Sequence, residues 1–424
     1  MVRECSTGNR DSGDIRKTVL ILIWHYLPGF KAGGILRSVV ALVEGLKDEF
    51  KFKIVCGDRD LGDRQPFAGE PIGSWYEYGP AEVLRVPPGL AGARMLIRVL
   101  RQEGYDVLYV NGVLHREFSM LPLACRRAGL LPRRPTVLAP RGEFSMGALS
   151  IKSKRKLLYI KLSTWIGFYR GIIWHASTIL EEADIRRSIA NLPAINSAGF
   201  LPGGPRTPGV GTMGIIAVAQ DMHQMSACES GTRLQKRAGR LRVLFVSRIS
   251  PKKNLLCALK MLQGLSGDVC FDIYGPAEDA EYWSSCKQVI GTMPPNVRVE
   301  YMGVIEHEKV GEVFAGHDLF LFPTLGENYG HVICEALIAG CPVLISDRTP
   351  WHNLQKEGAG WDIPLDEPER FHAALQQCVD ADEEWYGRLV ARAAAYGRMA
   401  ASDPAVIEEN RRMLRFAACV ASEA

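Results

Sequence analysis

The sequence holds no apolar run near the roughly 18 residues that cross a bilayer. Its longest candidates, such as Val19–Trp24, are strand-sized. The opening stretch MVRECSTGNRDSGD is polar and has no apolar core of the secretory kind, so a cytoplasmic protein is expected. No CxxC pair occurs. The 11 cysteines run from Cys5 to Cys419, are odd in number and often sit inside apolar runs. Buried free thiols in a reducing compartment fit this better than a disulfide framework or a zinc site. No DxD that would hold a metal between two domains is seen, and no nucleic-acid-binding module beyond local charge. A credible dinucleotide fingerprint is missing too. Gly209-Val-Gly211-Thr-Met-Gly214 fits GxGxxG, but it follows a Pro/Gly coil and precedes Ile-Ile-Ala-Val. A working fingerprint follows a strand and opens a helix.

What is present points to two α/β domains. The chain has 424 residues, 47% hydrophobic and 23% charged, too long for one ordinary core. Short apolar runs alternate with helix-length segments. Strands are predicted at Thr18–Trp24, Phe52–Cys56, Asp106–Asn111, Thr136–Pro140 and Gly171–Ala176 in the first half. In the second half they fall at Leu241–Ser247, Cys270–Tyr274, Val297–Met302, Asp318–Pro323 and Cys341–Ser346. Runs rich in Val, Ile, Leu and Phe, separated by helices such as Gly34–Leu46 and Asn254–Leu265, imply parallel sheets covered on both faces. The alternation breaks at 196–240, where LPGGPRTPGVG leads into a polar stretch. The expected domains are therefore 1–195 and 241–400, with a linker and irregular insertion at 196–240 and a helix at 401–424 packing back on the first. Two such α/β halves would face each other across a ligand cleft.

Three segments carry the chemistry. In the first, Phe320-Leu-Phe-Pro-Thr-Leu-Gly-Glu327-Asn-Tyr-Gly330-His runs into Val332–Ile345, where Glu335 is the one charged residue. A carboxylate in a buried helix needs donors, and ribose hydroxyls are such donors. A buried Arg or first-turn amides would serve equally. Gly330 sits where the helix begins, where free N–H groups can cradle phosphate. Glu327 lies in the loop at the C-terminal end of a strand, where open α/β sheets bind ligands. The second segment, Val246-Ser-Arg248-Ile-Ser-Pro-Lys252-Lys253-Asn254, ends a strand in a basic loop. Arg248 and Lys253 could clamp a diphosphate there, or simply face solvent. The third, Trp24-His-Tyr-Leu-Pro-Gly29-Phe-Lys-Ala-Gly33-Gly34, follows the first strand and precedes a helix. Gly33 and Gly34 would let a ligand approach, or form a plain turn.

In this order the three segments resemble the retaining glycosyltransferases of family 4, with the GT-B fold of two Rossmann-like domains. The resemblance covers nearly the whole chain. Glu327-x7-Glu335 resembles that family's EX7E signature, and FVSRISPKKN its GR-x4-K phosphate loop, with Ser247 in the usual Gly position. FKAGGILRSVVALVEGL resembles its N-terminal glycine loop and helix. The resemblance implies a nucleotide-sugar donor bound by the second domain, and a glycan or lipid-linked acceptor bound by the first. It implies transfer with retention and no metal or other cofactor. Arg248 and Lys253 would neutralise the leaving diphosphate. Glu335 would hold the ribose, and Glu327 the donor sugar, as a positioning group and not a nucleophile. Gly33, Gly34, Asn328, Tyr329 and Gly330 complete the implied donor site. Where many members carry a histidine after a strand of the first domain, this sequence has Asn111. His115 stands four residues on. Asparagine can hydrogen-bond a sugar hydroxyl but relays no proton, so Asn111 is taken as the site residue. The segment Ala139-Pro-Arg141-Gly-Glu143-Phe-Ser resembles a subgroup that builds bacterial surface polysaccharides and lipopolysaccharide. Arg141 and Glu143 would then serve the acceptor side, or form a buried pair that shapes the loop.

The net charge is +4, but residues 131–170 hold nine Lys/Arg and one acid, Glu143. Within them 151–169 reads IKSKRKLLYIKLSTWIGFY, basic residues interleaved with large apolar ones. Peripheral contact with the inner face of the plasma membrane is one expectation; a solvated helix face is the other. Two further functions fit the same residues. One is a nucleotide-sugar epimerase of this fold, and the other a non-catalytic nucleotide-sugar-binding subunit.

Overall fold

The computed structural model describes residues 16–145, 148–149, 153–189, 194–195, 214–223 and 233–420. The β-branched and aromatic runs form strands buried on both faces, as parallel sheets require. They assemble into two units, Met1–Met222 with Pro404–Ala424, and His223–Asp403.

The first unit holds β1 (Lys17–Leu22), β2 (Phe50–Gly57), β3 (Trp75–Tyr78), β4 (Ala81–Val86), β5 (Val107–Asn111), β6 (Thr136–Ala139), β7 (Ile172–Ala176), β8 (Ala194–Ile195) and β9 (Ile215–Val218). Their order in the sheet is β3-β4-β2-β1-β5-β6-β7-β9-β8, and the β3/β4 pair alone is antiparallel. The order reverses direction between β1 and β5. A crevice for a ligand opens at the carboxyl ends of strands at such a point. The loop after β1 and Asn111 at the end of β5 both lie there.

The second unit holds β10 (Arg240–Val246), β11 (Asp268–Tyr274), β12 (Val297–Gly303), β13 (Leu319–Phe322), β14 (Val343–Ser346) and β15 (Gly360–Ile363). Their order is β12-β11-β10-β13-β14-β15, all parallel. Here the reversal falls between β10 and β13, so the loops after these two strands are neighbours. Those are the loops carrying Arg248–Lys253 and Glu327–Gly330.

The stretch 196–240, taken from sequence as linker, contains a strand. Ile215–Val218 forms β9 and pairs with β7 in parallel register, Ile173 opposite Ile215. Four apolar residues suffice because both faces of β9 are covered, and Gly214 leads into this strand and not into a helix. Residues 196–213 lie outside the described residues, as do Cys5 and Cys228. Every described cysteine is a free thiol. Helix Pro404–Val420 buries Met413, Leu414, Ala417 and Ala418 in the core of the first unit, beside helix Gly34–Leu46. No helix of the described residues is long and apolar enough to cross a membrane.

Candidate functional site

In the second unit the two loops are tied by backbone and side chain. Leu325 donates its N–H to the Lys252 carbonyl at 2.8 Å, and Asn254 donates its side-chain amide to the Pro323 carbonyl at 2.8 Å. Across this seam Lys253 Nζ meets Glu327 Oε1 at 2.6 Å, with side chains only 12% and 11% exposed. The hydroxyl of Thr324, itself buried, donates to the same carboxylate oxygen at 3.0 Å. Burial alone would raise the Glu327 carboxyl. The Lys253 and Lys252 ammonium groups, with the Lys253 and Thr324 hydrogen bonds, outweigh it and hold the carboxyl below its usual range. The Lys253 ammonium is pushed down by burial and by nearby Lys252 and Arg248, against the pull of Glu327. Arg248 is more open and pairs with Glu278 at 2.9 Å.

Gly330 adopts φ 83°, the left-handed conformation glycine takes without strain, and caps helix His331–Ile338. The first turn of that helix carries no acid to offset its partial positive end. Tyr329 beside it is buried, and its carbonyl accepts from the Trp351 indole at 2.6 Å. Glu335, one turn on, is 1% exposed among Ile333, Cys334, Ala336 and Leu337. Asn328 is half-buried in the same loop.

In the first unit Gly33 takes φ 73°, ψ −137°, and precedes helix Gly34–Leu46, whose first turn also lacks an acid. The loop before it is braced by Asp60. This buried carboxylate accepts from the amides of Phe30 at 2.9 Å, Lys31 at 3.1 Å and Leu61 at 2.7 Å. Asn111 opens a buried polar chain. Its amide donates to the Leu22 carbonyl at 3.3 Å, and its oxygen accepts from Arg141 Nε at 3.0 Å. Arg141 also pairs with Asp221 and donates to the Tyr109 hydroxyl at 3.1 Å. Asp221 in turn accepts from Ser38 at 2.9 Å. The Tyr109 hydroxyl meets His175 Nδ1 at 2.5 Å, and His175 Nε2 meets the Ala219 carbonyl at 2.7 Å. A carbonyl only accepts, so the proton sits on Nε2. Nδ1 then accepts from Tyr109, whose oxygen accepts from Arg141.

Arg141 and Glu143 are not brought together. Arg141 is buried against Asp221, and Glu143 accepts from the amides of Val113 at 2.5 Å and Leu114 at 2.9 Å. Burial raises the Glu143 carboxyl, and these two amides oppose the rise. Neither side chain presents its charge outward, so both shape the loops around Asn111. His115 accepts from the Phe118 amide at 3.2 Å and lies against Trp24, a capping role. Burial and nearby His25 push its pKa down to about 4. Sequence reasoning missed Asp60, Thr324, Asp221, His175 and Tyr109. The one signal for Asp60 was its place just past the end of β2. Among the described residues no group of three or more His, Cys, Asp or Glu could hold a metal ion.

Residues 240–381, which contain the whole of the second-unit site, match the family of glycosyl transferases group 1. The likeness to that family is thus confined to a segment of the second unit. A curated relative is the phosphatidyl-myo-inositol mannosyltransferase of Mycolicibacterium smegmatis. Identity is 30% over 157 residues, 36% of this chain. That match spans 39% of the relative's length. Among solved structures, the sucrose-phosphate synthase of Thermosynechococcus elongatus superposes with a TM-score of 0.65 at 15% identity, covering 94% of this chain and 98% of that one. Anabaena HepE in complex with UDP-glucose gives 0.63 at 14% identity, with 94% and 98% covered. At such identities the likeness is one of fold. Two parallel-sheet α/β units match the GT-B glycosyltransferase structures.

Proposed function

We propose that the protein moves a sugar from a nucleotide-sugar donor to a hydroxyl of a glycan or lipid-linked acceptor. The transfer proceeds with retention at the anomeric carbon and without a metal, in the cytoplasmic assembly of a bacterial polysaccharide or lipopolysaccharide. One observation carries this: the two loops at the reversal point of the second sheet join Lys253 to Glu327 at 2.6 Å, inside the segment that matches the group 1 family. In the transfer, Arg248 and Lys253 balance the charge that builds on the nucleoside diphosphate as it leaves. Amides at Gly330 and the start of its helix cradle the same phosphates. Glu335 holds the ribose hydroxyls, and Asn328 and Tyr329 line the donor. Glu327 stands against Lys253 until the diphosphate takes over the ammonium, and then holds the donor sugar. In the first unit Gly33 and Gly34 approach the donor, and Asn111 hydrogen-bonds a sugar hydroxyl. Arg141 and Glu143 act from behind by fixing Asn111 and the turn after β5.

A thermal-shift screen of nucleoside diphosphates and nucleotide-sugars tests the donor site. A ligand at a hundred times its dissociation constant stabilises the fold by about 2.7 kcal/mol. One nucleotide family should shift the unmodified chain and shift neither Glu335→Ala nor Arg248→Ala. Equal shifts in the variants would remove the site assignment. Nucleoside diphosphate should then be released only when acceptor is present. An isomerised donor formed without acceptor would make the protein an epimerase, and binding with no turnover a binding subunit.

A further inference from the structure

We propose that the outward face of helix Ser153–Ile166 in the first unit is a docking surface for an anionic lipid bilayer. A helix on a globular unit normally turns its large aliphatic residues inward. This one turns many of them outward. Leu158 is 68% exposed and Trp165 is 83% exposed, with Leu157 and Leu162 exposed beside them. The inward side is served by Ile160 and Ser163, both buried, while Lys156 donates to the Ala148 carbonyl at 2.7 Å.

The charges on the outer face complement an anionic surface. Lys154, Leu158, Lys161 and Trp165 follow one another at helical spacing and share a stripe, with Arg155 and Leu162 alongside; all six are exposed. The helix contains no acid, and none occurs between Glu143 and Glu181. At its C-terminal end Arg127 donates to the Ile166 carbonyl at 2.9 Å and Arg126 to the Arg170 carbonyl at 2.8 Å, extending the basic zone. Cations that attract phosphate head groups, interleaved with side chains that enter the acyl boundary, are what an interfacial helix needs.

Other occupants fit less well. A nucleic acid rewards the lysines but stacks on aromatic rings, and the exposed apolar residues here are mostly leucine. A second copy docking through the same face would set lysine against lysine. The helix contains none of the residues assigned to the donor, and the test uses none, so this proposal and the transfer reading fail independently.

The test is co-sedimentation of the full chain with phosphatidylcholine vesicles, with and without phosphatidylglycerol, and with no sugar donor present. Binding is expected only to the anionic vesicles at low salt, with release at about 0.5 M salt. Leu158→Ser with Trp165→Ser should abolish retention. Lys154→Ala with Lys161→Ala should weaken it about thirtyfold, at roughly fivefold per lysine. All four side chains are exposed, so thermal melting should be unchanged in both variants. No retention at low salt, or retention equal in both variants, would overturn the proposal. So would a dimer in solution that the serine variant dissociates, or displacement from vesicles by a single-stranded oligonucleotide.

Discussion

Replacing His175 with glutamine should flatten the acid side of the stability curve. His175 lies on β7, 1% exposed, with both ring nitrogens committed. A second ring proton would leave the Tyr109 hydroxyl facing a donor on each side, Nδ1–H and the Arg141 guanidinium. Burial, with the Arg141 charge, accordingly holds its pKa at about 4 against an ordinary 6.5. Between those values the unfolded chain takes up a proton that the folded chain refuses. Stability is therefore fully present above pH 6.5 and falls as the pH drops toward 4. At about 1.36 kcal/mol per unit, the loss is roughly 2 kcal/mol at about pH 5 and roughly 3 kcal/mol in full. Urea denaturation at about pH 7.5 and about pH 5 should show the unmodified chain losing some 2 kcal/mol more than His175→Gln. The hydrogen bonds lost in the variant weigh equally at both values and cancel. Equal losses in the two proteins would refute both the buried neutral imidazole and the proton order assigned from Ala219 to Arg141.

Two other substitutions probe the site by different routes. Lys253→Ala leaves the Glu327 carboxylate buried without its ion-pair partner and should cost about 3–5 kcal/mol, whereas Lys253→Met with Glu327→Leu should return to within about 1 kcal/mol of the unmodified chain by urea denaturation. The Glu327 carboxyl is held below its usual range, so what the pair contributes is present at neutral pH and is lost as acid protonates that carboxyl. Gly33→Ala meets no atom within 4 Å, yet its φ of 73° is one an L-residue takes only under strain. A loss of about 1–3 kcal/mol by thermal melting, without change of secondary structure by circular dichroism, is expected.

The parts legible in the sequence were those whose signal is contiguous. Val19–Leu22 and Leu319–Phe322 read as strands because apolar residues run together, and the EX7E and basic-loop segments each sit at the end of one strand. The pairing of Lys253 with Glu327 was not legible, because it spans 74 positions and depends on β10 and β13 being neighbours. β4 escaped notice because Ala81–Val86 carries Glu82 and Arg85. Arg85 is fully buried, and its partners, Glu70 and the Leu27 carbonyl, lie elsewhere in the chain. β9 was hidden in a Pro/Gly-rich neighbourhood. The chain from Asn111 to His175 left no local trace: Arg141 reaches Asp221 across 80 positions and Tyr109 reaches His175 across 66. Two lone residues far apart carry no periodicity, and only the order of strands makes them a network.

The return of the last helix to the first sheet sets an order of events during synthesis. Met413, Leu414 and Ala417 complete a core begun by Val19 and Val39. The second unit, all of it between His223 and Asp403, has every residue it needs before Pro404 is made. The half of the molecule begun first is therefore finished last. A frameshift just before Pro404 would spare the second unit and strip core from the first, so a lesion late in the chain would be felt as instability around its earliest strands.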